Sequence, residues 1–187
     1  MQIKKGNDRF VVLIPCLGIA VKFPYIRICN TLEILFQNAE PKLWGVLKTY
    51  CELPMFASGV RGFKRMLFNG LVANWCEFWF YQTTRHPFLQ PTYFSFFGLF
   101  NIQRLGVASK IKKDDLWRKL MALTNGNIID DFHHFDNPEN FCSKDGRLRI
   151  LDYGDPICRK IILAYGQVMH HYYNLPSNSV SASTKAP

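Results

Sequence analysis

The sequence predicts an α+β fold, in which a small N-terminal antiparallel sheet with helices precedes a helical C-terminal part carrying a β-hairpin. Three observations predict it. Runs rich in β-branched and aromatic residues stand at 10–15 and 19–23, and again on either side of Gly98. Apolar residues recur at three- and four-residue steps over 70–84 and 114–124, the period of a helix with one buried face. The two kinds of segment are mixed without alternating, which argues against a doubly wound parallel sheet.

Each element has its own signal. Pro15-Cys16-Leu17-Gly18 makes a tight connection between the first two strands, and Pro24 limits pairing beyond the second. Residues 30–52 read as helix: Asn30-Thr31 offers a cap, Leu32, Leu35 and Phe36 keep helical spacing, Pro41 interrupts, and Leu43, Trp44, Leu47 and Tyr50 resume it. A loop is expected over 54–62. Two helices follow at 63–69 and 70–84, broken at Gly70, with Leu71, Trp75, Phe78, Trp79 and Gln82 marking a face of the second. The connector 86–91 leads to a hairpin, 93–97 and 99–104, turning at Gly98.

The helix at 114–124 begins with Asp114 and Asp115, where the helix dipole favours anions, and buries Leu116, Trp117, Leu120 and Leu123. After the turn Asn125-Gly126-Asn127 and a polar segment at 130–136, Pro138-Glu-Asn140 opens a hairpin. It turns at Asp145-Gly146, returns through Leu148, Ile150 and Leu151, and ends at Asp152-Tyr-Gly154. Pro156 sits at a favoured first-turn position of a last helix, 156–173. Residues 176–187 have nothing to bury and read as a disordered tail.

Composition narrows the class. At 187 residues and 48% hydrophobic, the chain suits one sizeable core, so 1–175 is expected as a single domain. Sixteen Phe predict a well-filled interior and an exposed apolar patch that wants a partner. A net charge of +9 suits an acidic partner such as a nucleotide, a nucleic acid or an anionic membrane. The charges are scattered, which makes nucleic acid the weaker expectation.

The six cysteines form no Cys-x-x-Cys pair, which argues against a zinc ribbon and for a reducing, cytoplasmic compartment. Lys4, Lys5 and Arg9 before an apolar run resemble a signal sequence. The run is too short to span a bilayer as a helix, and Pro15 stands where a small residue is wanted, so a buried hairpin is expected and no transmembrane helix. His133, His134, His170 and His171 with Cys142 invite a metal site. Adjacent side chains diverge, so none is expected from them.

The segment Pro138-Glu-Asn140 to Asp152-Tyr-Gly154 is the most specific in the chain. Together with Ile19-Ala-Val-Lys22 it resembles the protein kinase-like fold in a small, divergent form. Asp152-Tyr-Gly154 is similar to the family's Asp-Phe-Gly, Asn140 to the Asn that ends its catalytic loop, and Lys22 to its strand lysine. The resemblance covers roughly 10–24 and 70–165. It implies an N-lobe-like part, 1–104 with a helical insertion at 25–70, and a reduced C-lobe-like part, 105–175.

The resemblance also implies a kinase-like phosphotransferase that binds ATP and Mg2+ and passes a phosphoryl group to an acceptor. Lys22 would hold the phosphates and Glu77, preferred over Glu33 and Glu40, would fix Lys22. Gln103, in the connector Gln103-Arg104, would lie with them at the nucleotide, and Asn140 and Asp152 would take the metal. The family's base position, five residues before Asn140, is Phe135 here, so Asp136 or Asp131 is the expected base or orienter. Only Gly6 precedes the first hairpin, so the strand and glycines that cover the phosphates in that family are expected to be missing. Two further classes stay open: a kinase-like module that binds without catalysis, and an unrelated basic α+β protein binding nucleic acid or another protein.

Overall fold

The computed structural model describes residues 1–6, 8–26, 28–38, 42, 44–45, 63–144 and 146–173. The continuation of the first helix past Asn38 with Glu40, Leu43, Leu47 and Tyr50, the loop at 54–62, Asp145 and the tail at 176–187 lie outside the described residues. The described chain is α+β and divides into two compact units. The first comprises the described residues within 1–85, 91–105 and 153–156, and the second those within 86–90, 106–152 and 157–173. No helix among the described residues is long and apolar enough to cross a membrane.

In the first unit, β1 (Gln2–Lys5), β2 (Arg9–Ile14) and β3 (Ile19–Pro24) form a meander. After helices α1 (Ile28–Asn38) and α2 (Phe63–Thr84) come β4 (Thr92–Ser95) and β5 (Asn101–Arg104). All strand pairs are antiparallel, in the order β1-β2-β3-β5-β4. β1 corrects the expectation that no strand precedes the first hairpin. Its four residues are all exposed, so nothing in their own pattern announces a buried strand. Gln103 and Arg104 are strand residues of β5, as the hairpin at 99–104 predicts, so the polar connector expected at these two positions is the end of that strand.

The β2–β3 link is a 3-10 turn, Pro15–Leu17, closed by Gly18 in the left-handed region at φ 63. Pairing places Val11, Lys22 and Asn101 side by side, and next to them Leu13, Ala20 and Gln103. Alternation puts these residues on one face. On the other, Phe10 stacks on Phe23 at 5.0 Å, and Phe23 meets Phe100 at 6.1 Å. The expected exposed apolar surface is present on this unit: Phe94, Phe96 and Phe97 are 44–69% exposed.

The expected break between two helices is present but lies at Phe68 (φ −115, ψ 15), two residues before Gly70, where the two helical segments of α2 meet across a kink. A Cβ on Gly70 would stand 2.3 Å from the Asp8 carbonyl oxygen and 2.8 Å from Pro24 Cβ, so the glycine is there for close approach of the β1–β2 turn. Gly70→Ala is expected to cost about 1–3 kcal/mol through overpacking, read as a lower urea midpoint, even though alanine is the better helix former.

The second unit holds a three-stranded antiparallel sheet of β6 (Val107–Ala108), β7 (Phe141–Lys144) and β8 (Arg147–Ile150). α3 (Lys113–Leu123), a 3-10 turn (Asn127–Asp131), the one-turn helix α4 (Phe132–Phe135), a second 3-10 turn (Pro138–Asn140) and α5 (Pro156–Tyr172) complete the order. Its core gathers Phe88, Phe135 and Phe141, each at most 1% exposed, with Phe141 6.4 Å from Phe88 and 6.3 Å from Phe135. The connector at 86–90 is held onto β8 by Gln90 N–H to the Ile150 carbonyl and Ile150 N–H to the Phe88 carbonyl.

Candidate functional site

A glutamate with no solvent exposure organises the first unit. Glu77, on α2, accepts from Lys22 Nζ at 2.9 Å through Oε2 and from Arg9 Nη1 at 2.7 Å through Oε1. Lys22 and Arg9 are 5% and 9% exposed. Three residues before Glu77 on the same helix, Asn74 accepts from Arg9 at 3.1 Å and donates to the Lys22 and Gly98 carbonyls. Asn101, from β5, donates to the Asn74 carbonyl at 2.7 Å. A buried pair of cations sharing one carboxylate is stable only when its remaining donors and acceptors are also satisfied, and this network supplies such partners. Glu33, the alternative partner for Lys22, is instead bonded to Gln37 on the exposed side of α1.

Gln103 is 1% exposed and donates to Thr92 Oγ1 at 3.3 Å. Thr92 also bonds the Tyr153 hydroxyl at 2.6 Å, and Tyr153, with no exposure, packs on Phe80 of α2 at 6.2 Å. Gly154 follows in direct apposition to Ala73: a Cβ there would be 2.6 Å from the Ala73 carbonyl oxygen. Asp-Tyr-Gly therefore turns its tyrosine and glycine into the first unit.

Burial, and next the Glu77 carboxylate, push the Tyr153 phenol well above 10, while the Thr92 and Gln103 hydrogen bonds pull it down. The folded state keeps this proton after the unfolded chain begins to lose it. The contribution is thus full below pH 10 and is lost as pH rises from 10 towards the folded value. Tyr153→Phe is expected to flatten the alkaline fall in stability and to cost about 1 kcal/mol at pH 7, both measurable by urea titration at pH 7 and above 10.

The second unit carries the other expected residues. Asp131, 2% exposed, ends the 3-10 turn and meets His134 Nδ1 through Oδ1 at 2.6 Å. The His134 Nε2 lies 4.0 Å from Asp152 Oδ1, whose side chain is 35% exposed. Asn140 ends its own 3-10 turn, which Asn137 caps by accepting from Glu139 N–H, and donates to the His134 carbonyl at 3.1 Å. Asp136 is bridged to Lys113 at 2.6 Å; Lys113 is 60% exposed, so the pair contributes little to stability. Cys158, buried on α5, directs its thiol at the Asp152 carbonyl at 3.8 Å.

The structure thus joins Lys22 to Glu77, and Asp131, Asn140 and Asp152 to His134. Sequence reasoning missed Arg9, Asn74, His134 and Cys158 as members of these clusters. Two carried a signal: Asn74 precedes Glu77, and Asp131 precedes His134, by the three-residue step that puts side chains on one helical face. Arg9 read as part of a basic N-terminal stretch, and Cys158 as one of six cysteines without a Cys-x-x-Cys partner. Among the described residues, the cluster with metal-ligand character is Asp131, His134 and Cys158, not the histidine pairs with Cys142. No protein-family model matches the chain, and neither a curated protein nor a solved structure matches it significantly.

Proposed function

We propose that the chain is a kinase-like phosphotransferase that binds ATP and Mg2+ and passes a phosphoryl group to an acceptor. The observation that carries this reading is the buried Lys22–Glu77 ion pair, with the lysine on the third strand of an antiparallel sheet and the glutamate on a later helix. Kinase-like enzymes hold nucleotide phosphates with a third-strand lysine that a helix glutamate fixes in place. The buried tyrosine of Asp152-Tyr-Gly154 adds support, because the aromatic residue of that motif sets the active arrangement in the family. Asn140 and Asp152 offer the oxygen donors that Mg2+ prefers. Phosphoryl transfer relies on positioning and charge neutralisation, so a few such groups suffice.

A second reading, a kinase-like module that binds without catalysis, draws on Phe135. This residue occupies the family's base position and its side chain is fully buried. Asp136 and Asp131, the other base candidates, are engaged with Lys113 and His134.

Titration of the full chain with a fluorescent ATP analogue, with and without Mg2+, tests both. Saturable, Mg2+-dependent binding is expected, weakened at least about ten-fold, or 1.4 kcal/mol, by Lys22→Met or Asp152→Ala. No saturable binding sinks the nucleotide readings. Binding without turnover over a broad acceptor panel leaves the second.

A further inference from the structure

We propose that His134, Cys158 and Asp152, with Asp131 holding the imidazole, form a site for one divalent transition ion of the zinc class. Asp131, His134 and Cys158 come from three different elements of the second unit, are at most 7% exposed, and place their ligand atoms within 4.8 Å of one another. The donor set selects the ion. Imidazole and thiolate suit zinc or cobalt, whereas Mg2+ and Ca2+ take oxygen.

The distances divide the roles. Two ligands on a tetrahedral ion of this class sit about 3.2–3.7 Å apart, given bond lengths of about 2.0–2.3 Å. At 2.6 Å, Asp131 Oδ1 and His134 Nδ1 are therefore hydrogen-bonded to each other. That is the carboxylate–histidine arrangement that fixes a ligating ring and leaves Nε2 to the metal. From Nε2 to Asp152 Oδ1 is 4.0 Å, beyond a hydrogen bond and a few tenths of an ångström beyond that tetrahedral separation, a gap that the side chain of Asp152, 35% exposed, closes by a small rotation when the ion binds. Cys158 Sγ adjoins the same Asp152, 3.8 Å from its carbonyl oxygen. Burying a carboxylate, an imidazole and a thiol together is costly, and a bound cation offsets that cost by pairing with the deprotonated forms.

The site shares Asp152 with the proposed Mg2+ position, so the two ions compete for that carboxylate, but His134 and Cys158 belong to this site alone and it needs no nucleotide. Its test is a Co2+ titration of the full chain, stripped with chelator and free of nucleotide, followed by absorption. One equivalent is expected to bind with a thiolate-to-cobalt charge-transfer band, displaced by Zn2+ and not by excess Mg2+. Cys158→Ser is expected to remove the band, and Asp131→Asn to weaken affinity about ten-fold or more. Circular dichroism of the metal-free variants establishes that they are folded. A wild-type protein that shows no band overturns the proposal without recourse to any variant. So does a band that folded Cys158→Ser retains, or one that Mg2+ displaces as readily as Zn2+.

Discussion

Replacing Glu77 with alanine is expected to destabilise the protein by about 3–5 kcal/mol, because it leaves two buried cations, Lys22 and Arg9, without their shared counter-charge. Arg9 keeps Asn74 as an acceptor, and Lys22 loses its carboxylate. Glu77→Gln keeps one acceptor oxygen and is expected to fall between alanine and wild type. The informative comparison is the triple replacement Arg9→Met, Lys22→Met, Glu77→Leu. A well-packed apolar substitute for a buried ionic cluster is often neutral or stabilising, so the triple variant is expected to recover most of the loss. Urea unfolding of the four proteins measures this. If the triple variant is stable and binds no ATP analogue, the cluster is kept for the ligand rather than for the fold. A Glu77→Ala protein within 1 kcal/mol of wild type would mean that the network does not form in solution.

That cluster also separates what the sequence made legible from what it did not. β2 and β3 were readable because β-branched and aromatic residues flank a turn at Gly18, whose left-handed conformation suits glycine. Lys22 and Glu77, 55 positions apart, fall on a strand and a helix that the apolar pattern marks, and the fold brings them to 2.9 Å. β1 was not readable: Gln2-Ile-Lys-Lys5 is an edge strand with every residue exposed, and its existence depends on β2 offering a partner. Arg9 was hidden for a related reason. A charge at a strand start is normally solvated, and only the tertiary fold brings Glu77 and Asn74 to it. The break near Gly70 falls at Phe68, and Gly70 itself serves the close approach of Asp8, which no helical pattern reveals. The Asp131–His134 step lay unread beside the histidine pairs, and no local pattern connects it to Cys158, twenty-four positions after His134.

Phe135 shows the limit of motif alignment, and its replacement is the second large effect. Restoring the family's carboxylate by Phe135→Asp is expected to unfold the second unit rather than install a base. The side chain has no exposure and packs against Phe141. Removing a buried phenyl costs about 3–5 kcal/mol, and a carboxylate left in its place adds a desolvation penalty of several more. The sum reaches the stability of a typical small domain, about 5–15 kcal/mol. Phe135→Leu, which keeps the site apolar, is expected to remain folded with a far smaller loss. Hydrogen exchange at the amides of β7 and β8 measures the outcome, because those strands are built on Phe141 and Ile150. Rapid exchange in Phe135→Asp with protection retained in Phe135→Leu identifies position 135 as a core position that the one-turn helix α4 commits to packing. Protection retained in both would show instead that the second unit accommodates a carboxylate there, and the same variant would then serve to ask whether phosphoryl transfer appears.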